Sequence, residues 1–184
     1  MATWTIDKAH SEVGFKVKHL VISTVSGKFT EFEGKLEGDP NDLEKAKISF
    51  SADINSINTG NEQRDGHLKS ADFFDATNHP KLSFVSASIK RVDDNEYKVA
   101  GDLAIRGVVK PITLNVEFGG TQNDFYGQTV AGFEITGKIN RQDFGLTWSA
   151  VTEAGGVVVS DEVKLIINAE LVKQAVKAEA AASA

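Results

Sequence analysis

The stretch Lys45-Ala46-Lys47-Ile48-Ser49-Phe50-Ser51-Ala52-Asp53-Ile54 decides the class of fold. Its even positions are apolar, and its odd positions are charged or hydroxylated. Successive side chains of a strand point to opposite faces, so this is a strand with one dry and one wet face, as antiparallel sheets allow. The period recurs on either side. Val13, Phe15 and Val17 alternate with Glu12, Lys16 and Lys18, and Tyr97, Val99, Leu103 and Ile105 alternate with Lys98, Asp102 and Arg106. It returns from Ile112 to Phe118, from Ala131 to Ile139, and from Val163 to Leu171. Weaker strands are expected near Trp4-Ile6, Lys28-Leu36 and Lys81-Lys90, where the parity slips once, as at a bulge.

Turn residues separate these runs: Gly38 to Asp42, Asp93-Asp94-Asn95, Gly119-Gly120 and Gly155-Gly156. Pro111 must lie where no ladder hydrogen bond is needed, at a strand start or an edge. The chain therefore reads as all-β, with about eight or nine strands in hairpin succession forming an up-and-down barrel or a sandwich. Residues 1–171 make a single domain, and 172–184 form an alanine-rich tail, helical or disordered.

Composition narrows the function. At 184 residues, 41% hydrophobic and 25% charged, the chain is neither disordered nor built of membrane spans. A net charge of -6 and four scattered arginines, Arg64, Arg91, Arg106 and Arg141, argue against nucleic acid, which requires a cationic surface. Without cysteine there is no disulfide, thiolate nucleophile or thiolate metal site. No apolar run approaches the roughly 20 residues of a membrane-spanning helix. The beginning, MATWTIDKAHSEV, has no secretory pattern. A cytoplasmic protein is expected, or a periplasmic one if a signal has been removed.

Alternation stops from Ile54 to Phe84. A short helical excursion is expected near residues 60–75, beginning near Asn61 or Glu62 and carrying Leu68 inward. It gathers Arg64, Asp65, His67 and Asp72 beside Phe73 and Phe74. Arg64 and Asp65 either pair to anchor the excursion to the barrel rim, or Arg64 and His67 meet a polar ligand head as guanidinium groups meet phosphates. Phe73 and Phe74 then plug the barrel end or cover an apolar ligand. Arg141 and Asp143, in Asn140-Arg141-Gln142-Asp143-Phe144-Gly145, hold a strand-end turn or a second head contact.

Other constellations are weaker. Asp7, His10 and Ser11 have the residue types of a nucleophilic triad, yet adjacent residues on extended chain face opposite ways and no Gly-x-Ser-x-Gly elbow occurs. The four histidines lack metal-site spacing, so no metal is expected. A barrel of about eight strands is either filled or holds one small ligand. Small residues at Ala46, Ala52, Gly101, Gly132 and Gly137 would leave space inside, and a tapering packed core would use them too.

Several ordered motifs carry a resemblance. They are Asp7-x-x-His10-Ser11, Lys18-His19, Gly27-x-Phe29-x-x-Phe32-x-Gly34, Ser56-Ile57-x-Thr59, Arg64-Asp65-x-His67-Leu68, Asp72-Phe73-Phe74-Asp75 and Pro80-x-x-x-Phe84. Gly101-x-Leu103-x-Ile105-x-Gly107, Lys110-Pro111, Asn140-Arg141-x-Asp143-Phe144-Gly145 and Ser160-Asp161 follow. Over about residues 3–171 the chain resembles the YceI-like family of polyisoprenoid-binding proteins. The resemblance implies an extended antiparallel, lipocalin-like barrel whose apolar interior takes a polyisoprenoid or similar long-chain lipid, without catalysis or cofactor. The expected lining is Val13, Phe15, Val17, Phe32, Ile48, Phe50, Ile54, Phe73, Phe74, Phe84, Leu103, Ile105, Leu114, Val116, Phe133 and Ile135. Arg64, His67 and Arg141 are the candidates for a lipid head. Two rival readings remain: a hydrolase or isomerase using His67 with Asp65 or His10 with Asp7, and a packed barrel that acts as a homodimeric interaction module.

Overall fold

The computed structural model describes residues 1–150 and 158–175. Eleven strands appear among them: β1 (Thr3–Ile6), β2 (Glu12–His19), β3 (Ser23–Phe29), β4 (Phe32–Glu37), β5 (Lys47–Asp53), β6 (Ile57–Asn58), β7 (Lys81–Asp93), β8 (Glu96–Ile105), β9 (Val108–Asn123), β10 (Thr129–Asn140) and β11 (Val159–Lys173). Helix α1 (Glu62–Lys69) is the sole α-helix described. Eight antiparallel strands close a barrel in the order β1-β4-β5-β7-β8-β9-β10-β11, with β11 returning to β1 through pairs such as Ile6 with Leu171. Closure at β1 joins the two sides of the ring, and the sheet edges that remain lie at β3 and β6 and at the start of β4.

The first 20 residues share the β11 edge in two pieces. β1 pairs with its end, a 3-10 turn at Lys8–His10 breaks the chain, and β2 then pairs with its beginning, Val163 opposite Val17 and Ile167 opposite Val13. From β2 the sheet extends to β3 and the short β6. The run expected as one strand from Lys28 to Leu36 is two. β3 pairs with β2 and β6, whereas β4 pairs with β1 and β5, so the chain turns a corner at Thr30-Glu31. That corner is the source of the slipped parity.

Two further turn assignments differ from the sequence expectation. Gly119 and Gly120 lie inside β9, where the register with β10 shifts between Gly132 and Phe133; they form a bulge, and the turn falls at Asp124 to Gly127 instead. The final strand continues to Lys173 rather than stopping at Leu171. The expected Gly155-Gly156 turn and most of the expected alanine-rich tail lie outside the described residues. Pro111 sits within β9 opposite Asp102, in a stretch beyond the last β10 pair, Thr136 with Asn115, so its missing N–H breaks no ladder. The slip near Lys81-Lys90 is a register shift against β8 between Ser86 and Ser88.

The two ends of the barrel are closed differently. At one end a 3-10 segment, Pro40–Lys45, starts from an Asp39 cap whose Oδ1 accepts from Asn41 N at 2.9 Å, and it buries Leu43 almost completely. At the other end lies the excursion containing β6, α1 and the loop to β7.

Candidate functional site

The inward rows do not meet. They leave a cavity of about 230 Å3 with an almost entirely apolar wall. Phe15, Ile48, Phe50, Ile112, Ile135, Leu165 and Ile167 point into the barrel yet are only partly buried, because the surface they expose is the cavity wall. The void exceeds by more than tenfold the roughly 10–15 Å3 that one water needs, but an apolar wall gives water no partners.

Fourteen of the expected lining residues stand on this wall: Val13, Phe15, Val17, Ile48, Phe50, Phe73, Phe74, Phe84, Leu103, Ile105, Leu114, Val116, Phe133 and Ile135. Phe32 and Ile54 do not, although both are buried. Phe32 opens β4 just past the corner and stacks on Phe50 at 6.4 Å, with Phe50 facing the cavity. Ile54 has left β5 and begins a 3-10 turn, Ile54–Ser56, so the strand parity that aimed it inward no longer applies. The wall also includes the row Val163, Leu165, Ile167, Ala169 and Leu171 of β11. Its alternation is as plain in the sequence as that of β5.

Not every small residue makes room. A Cβ at Gly101 would stand 2.5 Å from the Phe84 ring, and one at Gly137 would stand 2.7 Å from Leu114 Cδ2. These glycines accept a neighbour's side chain. Gly132, expected to point inward, has the outward parity between the buried Ala131 and Phe133, and the open space beside it lies outside the barrel. Gly27 is likewise covered by the ring of Phe15, its cross-strand partner.

The excursion end is built in layers. Asn61 caps α1, its Oδ1 accepting from Arg64 N at 3.0 Å. The helix buries nothing fully, but it delivers Leu68 to the cavity wall. The loop beyond it places Phe73 and Phe74 there too, with Phe74 edge-on to Phe29. The fastening comes from across the barrel: Arg106, in the β8–β9 turn, donates through Nη1 to Ala71 O at 2.7 Å and Phe73 O at 2.6 Å. This anchor was not legible in the sequence, because nothing local to Arg106 marks its partners.

The three expected head contacts have other occupations. Arg64 and Asp65 do not pair. Arg64 donates to Thr59 Oγ1 and Thr59 O, both at 2.7 Å, while Asp65 accepts from Thr59 N and Oγ1. They hold the approach to α1 from outside, and Arg64 is exposed. His67 faces Asp72 Oδ2 through Nε2 at 2.9 Å and sets its ring edge-on to Phe73 and Trp148. Neither Arg64 nor His67 reaches the cavity wall. Arg141 does reach it, but is only 4% exposed and spends its donors on backbone: Nη1 to Leu146 O and Trp148 O, Nε to Ser160 O, Nη2 to Val159 O. Asp161 is 3.5 Å from Nη2. Burial lowers the Arg141 pKa from its ordinary value, and Asp161 works against that shift. Arginine has five N–H donors in a rigid fork, so four carbonyls take four of them and the Asp161 carboxylate lies beside the fifth. Trp148, which the sequence reading passed over, joins this end through Phe73 at 5.5 Å.

The residues of the rival chemistry lie elsewhere. His10 Nδ1 and Asp7 Oδ2 are 2.7 Å apart on the barrel exterior, and Glu170 Oε1 is 3.9 Å from the same nitrogen. Hydrogen bonding to His10 lowers the Asp7 pKa, and the same bond raises that of His10. Ser11 makes no bond to His10 but substitutes for a ladder partner, accepting from Glu170 N at 2.9 Å. The triad-like set is therefore a capped turn. His67 pairs with Asp72, not Asp65.

A closed antiparallel barrel around an apolar cavity, with covering segments at both ends, defines a class of ligand-holding barrels. The chain belongs to the YceI-like family, whose domain model matches residues 4–171. A UPF0312 protein of Staphylococcus aureus (strain MSSA476) is 42% identical over 171 residues, covering 92% of this chain and 97% of the relative. The solved Campylobacter jejuni YceI protein is 38% identical with a TM-score of 0.75, covering 92% and 96% of the two chains. A polyisoprenoid binding domain from Saccharophagus degradans superposes with a TM-score of 0.63 over 93% of this chain and 98% of its own; at 16% identity it shares the fold alone.

Proposed function

We propose that the protein holds a polyisoprenoid or a similar long-chain lipid in its barrel and performs no catalysis. The observation that carries this reading is the apolar cavity. Left empty, an apolar space of about 230 Å3 would cost a rigid core up to about 5.5 kcal/mol at roughly 24 cal/mol per Å3. That is comparable to the net stability of many domains, so a sequence that maintains such a space has a use for it. A tail that fills it removes this cost and gains about 25 cal/mol per Å2 of apolar surface buried, less the entropy of fixing the tail.

The reading extends to selectivity. The donors of Arg141 are engaged by backbone carbonyls, and neither Arg64 nor His67 stands on the cavity wall, so affinity comes from the tail rather than from a charged head. The likeness to a barrel described as polyisoprenoid-binding supports a tail of that kind. The test is mass spectrometry of an organic extract of the purified protein. A long-chain lipid present at about one per barrel supports the proposal. A consistently empty protein that also takes up no isoprenoid overturns it.

A further inference from the structure

Leu20, Val21 and Ile22 form the three-residue tip of the β2–β3 hairpin, and all three are exposed, Ile22 by 86%. Leu20 and Val21 have φ of +55° and +67°, the left-handed region that hairpin turns normally fill with glycine or asparagine. A β-branched residue there is an outlier. The sequence thus departs from turn chemistry at two successive positions in order to present apolar side chains to solvent, and departures of this kind mark functional sites.

Where the tip sits gives it a purpose. Val17, on the strand leading to it, and Val159, whose preceding residue Val158 accepts from Leu20 N at 2.8 Å, both stand on the cavity wall. The tip therefore begins three residues beyond the wall residue Val17, at the same barrel end as Phe73 and Phe74.

The outer face beside it is cationic. Lys138, Lys164 and Lys16 are direct cross-strand neighbours on β10, β11 and β2, and Lys18 follows two residues on. Like charges in register are destabilising. Lys138 is relieved by Glu162 at 3.3 Å, but among the described residues no carboxylate lies within 4.0 Å of Lys16, Lys18 or Lys164. In a chain of net charge -6 this strip stands out.

We propose that the Leu20–Val21–Ile22 tip and the lysine strip dock the barrel onto anionic lipid bilayers, with the tip entering the headgroup region and the lysines facing lipid phosphates. Apolar insertion beside a basic patch is the usual physical basis of peripheral membrane binding. The proposal rests on the lipid-holding reading, since docking brings the cavity end to a source or sink of lipid.

The test is flotation with vesicles of phosphatidylcholine containing one-third phosphatidylglycerol. Wild type binds them, binds pure phosphatidylcholine vesicles far less, and dissociates as salt rises. Replacing the tip with turn residues, Leu20→Asn, Val21→Gly and Ile22→Ser, relieves the left-handed strain, so this variant melts higher than wild type while losing vesicle binding by at least about tenfold. Lys16→Gln and Lys164→Gln each weaken binding roughly fivefold, since a lysine near an anionic surface contributes about that factor. Equal flotation of wild type and tip variant overturns the proposal. So does a wild type that ignores both vesicles, or a tip variant whose sole change is the splitting of a dimer, which would assign the tip to a second copy. Isoprenoid uptake from detergent keeps the two readings apart: docking lost with uptake intact removes this proposal alone, and docking without uptake removes the lipid-holding reading.

Discussion

Arg141 should behave as a structural tie and not as a ligand contact. It reaches across the segment between β10 and β11, joining Leu146 and Trp148 on one side to Val159 and Ser160 on the other. Arg141→Met keeps most of the stem's packing but removes every donor. Each carbonyl left buried without a partner costs about 1–3 kcal/mol, and some recover water at this barrel end. The expected loss is therefore about 3–4 kcal/mol, a large share of the roughly 5–15 kcal/mol of an ordinary domain. Urea unfolding of lipid-free protein measures it directly, as a shift of midpoint at unchanged slope. The reasoning is refuted if lipid-free Arg141→Met unfolds within about 0.5 kcal/mol of wild type, a difference typical of a harmless surface change, and binds isoprenoid more weakly. That outcome would return Arg141 to recognition of a lipid head.

Other consequences follow from single contacts. Arg106→Ala frees the Ala71 and Phe73 carbonyls, so amide hydrogen exchange across residues 70–76 should accelerate with a global loss of only about 1–2 kcal/mol. Gly27→Ala puts a Cβ into the Phe15 ring, which must swing toward the cavity; a loss of about 1–3 kcal/mol is expected together with weaker lipid uptake, read by unfolding and by titration. The Asp7–His10 pair sets a pH window. The raised His10 pKa contributes stability that is complete below its unfolded value and is lost as pH rises through the folded one. The lowered Asp7 pKa contributes stability present above its unfolded value and lost as pH falls through the folded one. An NMR titration should place the His10 midpoint above roughly 6.5, and Asp7→Asn should bring it back toward that value.

The barrel was legible in the sequence wherever one strand face is wet, because period two needs only local chemistry. β5 and β10 are examples, and the start of α1 near Asn61 or Glu62 was visible too. Lys28 to Leu36 read as one strand because the corner at Thr30-Glu31 contains neither glycine nor proline; what breaks it is the exchange of partners from β2 to β1. Gly119-Gly120 read as a turn because a bulge and a turn call for the same backbone freedom. The cavity lining was largely legible, as it repeats strand parity. The polar residues were not. Arg64 and Asp65 look like a pair when each is bound to Thr59, and Arg106 acts on a loop 33 to 35 residues away. Long-range hydrogen bonds leave no periodic trace.

The central claim is that the cavity holds a lipid tail, and titration of delipidated protein with a long-chain isoprenoid, followed by native mass spectrometry, tests it most directly. One equivalent should bind to wild type, and Ile135→Trp, which fills the cavity from its wall, should abolish that binding while the barrel remains folded. Undiminished uptake by Ile135→Trp, or no uptake by wild type, would contradict the account.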